Sequence, residues 1–518
     1  MADERKPLAR HDPLRLTGID ALVRALLSTG FERMRASALQ LLVPPAENLT
    51  CLATPLLSGH GCVVEIFMRL SRREFIKTTG AVATLGLVPQ AEVFAAPTWN
   101  HRIVRARHPL ASFFDVPDFE FHQDVPETYY GHWVSQEAVY QIFDAALCAL
   151  TGEGDPVAAM RRLVPYQPGE RVFIKINTTT TYDLWHGDWD KITWDSHYND
   201  SDAIAEPINA TLRALVRIGV PQDKISLGDP TWSEGSPDPE KRTPRLVPNR
   251  LARKIKASFP GVVICRSSFM SDGNGITWAS NDPHAVVEFR DAVIDRRKQR
   301  VTSHRVPDQL IRADHFINLP IMKRHDSAGV TGAFKNNFGT IASCACFHEP
   351  KYAGEGKPGA MFHQEGNPAV DIWLNPHVGG KTRLIVTDGI FAGWNWGSDP
   401  PTGWKSFGGR SPNCLLLGTD PVAMDSVIFD HVTESLPDKV KDFPPPAMLV
   451  DAARIGLGRH ESRPGPRASY KTIDYLEIDQ RVDETKLRKL AELRAKYKSG
   501  AKSAGAIKDL LQECRAAL

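Results

Sequence analysis

RVFIKIN at residues 171–177, AIAEPINATLRALVRI at 203–218 and KISLGD at 224–229 decide the fold. The first and third are short apolar runs that discharge into polar residues, Asn177 in one case and Gly228-Asp229 in the other. Between them Ile204, Ile208, Leu212, Leu215 and Val216 recur at the spacing of one helix face, and Pro207 fits the first turn. Strand, helix, strand is the repeating unit of a parallel sheet. The pattern extends outwards. VVIC (262–265) and HFINL (315–319) predict strands on either side of a Gly- and Asp-rich insertion. RLIVT (383–387) leads into Asp388-Gly389, and CLLL (414–417) leads into Gly418-Thr419-Asp420. Asp420 reads as the cap of a helix with Pro421 in its first position and Ala423, Val427, Ile428 and His431 in step. QEAVYQIFDAALCAL (136–150) predicts an amphipathic helix, and residues 484–518 predict two Lys/Arg-rich helices with a solvated charged face. The expected fold class is α/β, a mostly parallel or mixed sheet flanked by helices, loop-rich, with a helical C-terminal tail.

Composition agrees with a globular chain. The 518 residues are 42% hydrophobic and 24% charged, with Lys+Arg 63 against Asp+Glu 61. A formal net charge of +2 without a long basic run argues against a nucleic-acid groove. Gly 38 and Pro 38 exceed the usual share and predict ordered loops.

The sequence also carries an address. Ser71, Arg72, Arg73, Phe75, Ile76 and Lys77 match the twin-arginine export signal in order and spacing. The weakly apolar run 78–88 follows, then Val93-Phe94-Ala95 with small residues at a cleavage position. That run is too short for a membrane span, which needs about 20 apolar residues. The expected partner is the twin-arginine translocase, and the expected location is periplasmic or extracellular. A signal starting at Met68 makes residues 1–67 a doubtful upstream extension, the alternative being a genuine long leader. The expected divisions are the signal at 68–95, a wrapping segment and helix at 96–160, an α/β core at 161–440, and a largely helical extension at 441–518. Of the cysteines beyond the signal, Cys148, Cys265, Cys344, Cys346, Cys414 and Cys514, none forms a C-x-x-C pair, so no iron–sulfur or thioredoxin pattern is present.

In an open parallel sheet, ligands bind outside the carboxyl ends of the strands. The predicted exits carry Lys175, Asn177, Asp229, Lys323, His325, Asp388 and Asp420, all expected at one edge. The densest stretch is NLPIMKRHDSAGVTGAFKNNFGTIASCACFH (318–348). Its Gly329, Gly332 and Gly339, the Thr331 hydroxyl, and the cations Lys323 and Lys335 suit a phosphate or carboxylate. No glycine-rich nucleotide fingerprint is present. Two metal sets are open: Cys344, Cys346 and His348 as soft ligands, and Asp229, Asp388 and Asp420 with His325 as a hard set. The first is opposed by the roughly 6.5 Å between alternate residues of a strand. Tryptophans at 185, 189, 194, 394, 396 and 404 suit pocket walls or loop packing alike.

VFIKIN (172–177), INLPIMKRH (317–325), VTGAFKNNFG (330–339), LIVTDGI (384–390) and LLLGTDPVAMDSV (415–427) together resemble the domain-of-unknown-function family 362. The resemblance implies an α/β domain, sometimes fused to an iron–sulfur module that has no cysteine pattern here. It also implies a site drawn from Lys175, Asn177, Lys323, His325, Lys335, Asn336, Asp388, Asp420 and Asp425. Two functions compete. In an enzyme, Lys323 and Lys335 hold an anionic group, His325 acts as general acid/base, and Asp388 and Asp420 orient it or hold a divalent ion. In an accessory protein, the same site retains a metal, cofactor or ligand without turnover. Thiol redox chemistry at Cys344 and Cys346 is a weaker third reading.

Overall fold

The computed structural model describes residues 14–17, 50–58, 61–68, 101–116, 129–178, 201–230, 232–233, 243–244, 249–265, 276–294, 300–325, 328–342, 366–394, 401–435, 445–463, 469–500 and 503–517. The chain forms two compact units, Met1–Val93 and Phe94–Leu518. In the first, Leu14–Thr17, Thr50–Ser58 and Gly61–Met68 make an antiparallel three-stranded sheet. Pro55 within the middle strand breaks the pattern by which a strand is recognised, which hid this sheet in the sequence. The twin-arginine motif at 71–77, the apolar run and the cleavage position lie outside the described residues.

The second unit is built on a ten-stranded sheet. Its strands are β1 (Arg102–Arg107), β2 (Val172–Lys175), β3 (Ile225–Gly228), β4 (Val263–Ile264), β5 (His315–Asn318), β6 (Ile321–His325), β7 (Gly329–Thr331), β8 (Thr382–Gly393), β9 (Cys414–Gly418) and β10 (Asp474–Asp479). The order across the sheet is β10-β1-β9-β8-β5-β2-β3-β4, with β6 paired to β7 and β8. From β8 to β4 all neighbours are parallel, whereas β9 runs against both β8 and β1. The sheet is therefore mixed, as the α/β reading allowed.

Alternation along each strand divides the core into two layers. Val172, Ile174, Leu384 and Val386 pack with helices α1 (Gln136–Thr151), α2 (Pro156–Leu163), α3 (Ala205–Arg217) and α4 (Asn249–Ser258) on one face. Phe173, Phe316, Ile385 and Leu416 pack with α5 (Ala333–Asn336), α6 (Pro368–Leu374), α7 (Pro421–Ser435) and α8 (Ala447–Arg454) on the other. Four strands were not legible, β1, β6, β7 and β10. RIVRAR (102–107) lies in what reads as a wrapping segment, yet Ile103, Val104 and Ala106 are buried and Arg105 is held by Glu477 of β10 at 3.2 Å. The tail helices, α9 (Glu484–Ser499) and α10 (Ala504–Ala517), match the expected pair. Leu490, Leu493, Ile507 and Leu510 cover Leu110, Phe113, Phe114 and Trp133, while their charges stay at the surface.

A half-buried arginine pins the hairpin Val286–Ile294 and Arg300–Arg305 to this frame. Arg290 donates to the carboxylates of Asp371 in α6 and Asp451 in α8, and Asp451 also accepts from Arg454 at 2.7 Å and from the Asn367 backbone N–H at 3.0 Å. Removing the fully buried Asp451 leaves Arg290 with Asp371 alone and deprives Arg454 and the Asn367 N–H of their acceptor. Asp451→Ala is expected to lower the unfolding free energy in urea by about 3–5 kcal/mol. Glu492→Ala, which breaks an exposed pair with Lys489, is expected to change it by less than about 1 kcal/mol.

Candidate functional site

The topology itself marks a crevice. The chain leaves β2 for α3 on one face, whereas it leaves β5 for β6, β7 and α5 on the other. Adjacent parallel strands whose connections part in this way leave a gap at their carboxyl ends, where ligands bind in open α/β sheets. Lys175 and Asn318 are paired residues at the ends of these two strands.

Lys175 is wholly buried, its Nζ 3.0 Å from Oδ1 of the equally buried Asp229 at the exit of β3. It also donates to the Ile176 carbonyl and, at 3.2 Å, to Asn336 Oδ1. The ammonium group is thus held by two hydrogen bonds and one ion pair. Asn177 Nδ2 donates to the same Asn336 oxygen at 3.2 Å, and Asn336 Nδ2 donates to Asn318 Oδ1 at 2.7 Å. Gly339 closes over the pair so tightly that a Cβ there would lie 2.0 Å from Asp229 Oδ1 and 2.2 Å from Lys175 Cε. Asp425 holds this turn from behind. Its carboxylate accepts from the backbone N–H groups of Ala333 (2.5 Å) and Phe334 (3.1 Å), the first residues of α5. Burial pushes the Asp425 carboxyl up to about 7, against those two donors and with the charge of Asp420 adding to the rise. Lys175, Asn177, Asp229, Asn336 and Asp425 thus belong to one construction, with Asn318 as a member that the sequence had presented only as a strand end.

A second group lies under residues 201–204, a strap across the strand ends. The Ala203 N–H donates to the Asn177 carbonyl at 2.8 Å, Lys323 Nζ donates to the Ser201 carbonyl at 3.2 Å, and Tyr130 Oη donates to the Asp202 carbonyl at 2.8 Å. Asp388 is in this group, on the α3 side of the sheet. It is not a strand exit as expected, because β8 continues through it to Gly393 along β6 and β9. Burial pushes its carboxyl up to about 7. The nearby charge of Glu206 adds to the rise, while the Ile390 and Ile204 N–H groups act against it. Glu206 and the strap were missed in the sequence, where SDAIAE reads as an ordinary helix start.

The remaining candidates His325, Thr331 and Lys335 lie on the segments that lead from β6 into the turn that carries Asn336. His325 is buried and its Nδ1 accepts from the Ala328 N–H at 3.2 Å. Lys335 is buried with Nζ 4.8 Å from the Phe338 ring centre. Thr331 is buried, and its hydroxyl has no partner among the described residues. Asp420 is a correction. Because β9 is antiparallel, it discharges to the opposite edge, where Asp420 caps α7 through the Val422 and Ala423 N–H groups and meets His101 Nδ1 at 2.6 Å. The hard-metal set of Asp229, Asp388, Asp420 and His325 is accordingly not assembled. No three His, Cys, Asp or Glu side chains gather as metal ligands among the described residues. Cys344, Cys346 and His348 lie outside the described residues, as do Trp185, Trp189, Trp194 and Trp396. Trp404 is buried in the core. Burial pushes the Cys265, Cys414 and Cys514 thiols up to about 12, which makes them inert.

Residues 267–430 match the family model described as Domain of unknown function (DUF362). The segment contains Lys323, Lys335, Asn336, Asp388 and Asp425 and leaves Lys175, Asn177 and Asp229 upstream. No curated protein matches the sequence. Among solved structures, lactate racemase apoprotein from Thermoanaerobacterium thermosaccharolyticum is similar at 14% identity and a TM-score of 0.27, with 57% of this chain and 55% of that one covered. The chain spans about half the length of that protein, and nothing of its site is carried over at this level of similarity.

A carboxyl whose folded pKa is raised binds its proton more tightly in the native state, so it favours folding below its unfolded pKa and loses that advantage as pH rises through the folded value. Asp388 goes from an ordinary 3.8 to about 7. The stability of Asp388→Asn relative to the wild type is therefore expected to increase between about pH 4 and pH 7 and to level off above, in urea unfolding measured across that range.

Proposed function

We propose that this chain is an exported enzyme that binds a small anionic molecule at the carboxyl edge of its sheet, between β2 and β5. The observation that carries the reading is the concentration of buried cations and amides at that switch point. Lys323 is wholly buried and Lys335 nearly so. Cations held out of water bind carboxylate or phosphate oxygens more strongly than surface lysines do. In this reading Lys323 and Lys335 hold the anion, Asn177 and Asn336 orient it, and Lys175 with Asp229 acts as the strut that fixes both amides. Asp388, poised near neutrality, is the proton donor and acceptor, because a group with a pKa near the working pH serves in both directions. His325, with Nδ1 accepting a backbone N–H, presents Nε2 as the other proton-transfer atom. Asp420 has no part at this edge, and the proposal requires no metal.

The complete burial of the strut and of Lys323 favours a second reading. A closed site also suits a binding protein that retains its ligand without turnover. Isothermal titration with phosphate and with dicarboxylates, alongside mass balance of the ligand, addresses both. Wild-type protein is expected to bind at least one such anion and to melt higher in its presence. Lys323→Met and Lys335→Ala are each expected to weaken binding at least about tenfold, equivalent to about 1.4 kcal/mol. Unchanged affinity in both variants would remove the anion site. Recovery of the ligand unaltered selects the binding protein.

Export through the twin-arginine route is part of the proposal and rests on residues 71–77 and the cleavage position after them. N-terminal sequencing of exported protein is expected to find a chain that begins near Ala96. An exported chain that retains residues 1–67 contradicts it.

A further inference from the structure

Asn337 follows Asn336 in the turn over the Lys175–Asp229 strut. It is wholly buried, and neither its Oδ1 nor its Nδ2 has a hydrogen-bond partner among the described residues. Its backbone is engaged instead, the carbonyl accepting from Thr340 Oγ1 at 2.7 Å and the N–H donating to carbonyls of the preceding turn. Buried amides in folded proteins almost always find partners, since an unmet donor or acceptor destabilises the fold by its desolvation cost. Leucine fills nearly the same space without that cost. The unpaired amide therefore requires an explanation outside stability, and its neighbours indicate where to look.

On one side, Asn336 is committed to Lys175, Asn177 and Asn318. On the other, the Gly339 backbone lies against Lys175 and Asp229. The turn is fixed at both ends to the strut, and Asn337 is the member whose side chain is uncommitted. Stability–function conflicts of this kind collect at binding sites, where polar groups await a partner that the free protein lacks.

We propose that Asn337 is the specificity-determining residue of the strand-end site, and that the bound anion also carries a hydroxyl or amide group. The inference rests on the anion-binding reading above and adds the second half of the ligand. A bare carboxylate or phosphate offers only acceptors and would meet Nδ2 while leaving Oδ1 unmet. A hydroxyl or amide both donates and accepts, and so satisfies both ends of Asn337. A site built to hydrogen-bond such a group rejects the analogue that lacks it far more strongly than an apolar pocket rejects a missing methylene.

Malate and succinate differ by one hydroxyl, and glycerol 3-phosphate and propyl phosphate differ by two. In titrations of the full wild-type chain, the hydroxylated member of at least one pair is expected to bind at least about tenfold tighter. In Asn337→Leu the two members are expected to bind alike, and the ligand-free variant to melt above the wild type, because two unmet polar groups are gone. Asn337→Ala, which removes the amide without asking the turn to hold a branched side chain, is expected to lose the discrimination in the same way. Equal binding of both members to wild type overturns this inference while leaving the anion reading intact. No binding of any of the four overturns both. Discrimination that survives in Asn337→Leu or Asn337→Ala overturns the assignment of Asn337.

Discussion

Lys175 and Asp229 are both wholly buried, with 3.0 Å between Nζ and Oδ1. Taking two charges out of water costs several kcal/mol each, and their attraction offsets this only when the remaining protons and lone pairs are also met. Much of the local architecture follows from that condition. The other two protons of Lys175 go to Ile176 and Asn336, and the second Asp229 oxygen accepts from the Thr178 N–H at 3.0 Å. Asn336 must then be presented at a fixed height above the sheet, which the short helix α5 does. A four-residue helix has little stability of its own. Asp425 supplies what it lacks by satisfying two of its first N–H groups from α7. Gly332 and Gly339 follow, since any side chain at either position would enter the carboxylates of Asp425 or Asp229.

Strand direction explains what the sequence could and could not convey. The β2-α3-β3 unit was legible because apolar spacing differs between helix and strand. CLLLG was legible as a strand, but a strand buried on both faces has the same apolar run whichever way it points. Reading it as parallel placed Asp420 with Lys175. Its antiparallel pairing with β8 instead sends Asp420 to the other edge, beside His101 at the start of β1. The cap pattern Asp420-Pro421 was legible all the same, since capping depends only on local chain geometry. RIVRAR and DYLEID were not, because their strand character depends on each other: Arg105 is tolerable in β1 only beside the acids of β10.

The candidate site was legible by residue type and illegible by grouping. Polar residues after apolar runs identified Lys175, Asn177, Asp229, Lys323 and Asp388 without regard to which face of the sheet each would take. Alternation sends Lys175 and Asn318 to the α5 side and Asp388 to the α3 side, so the two sets communicate only over the edge. The strap at 201–204 spans that edge, bonded to Asn177 at one end and Lys323 at the other. Nothing in SDAI signals such a role, because its contacts are made by backbone carbonyl and N–H groups that every residue possesses.

That the strap works through its backbone has a consequence for how the edge responds to charge. Asp388 lies beneath it and accepts from the Ile204 N–H, while Glu206 stands one turn further along the same chain, bound to Lys254 of α4. Ionising Asp388 strengthens its bond to Ile204 but sets a second negative charge against Glu206, so the two effects oppose each other. In a buried setting the charge repulsion extends over a longer range than the hydrogen bond. Under the proposed anion-binding reading, an anion arriving near Lys323 would add to the repulsion and favour the protonated form of Asp388. In that reading ligand binding and proton uptake at Asp388 would be linked through the same short segment, which suits a group that must hold a proton when the ligand is present.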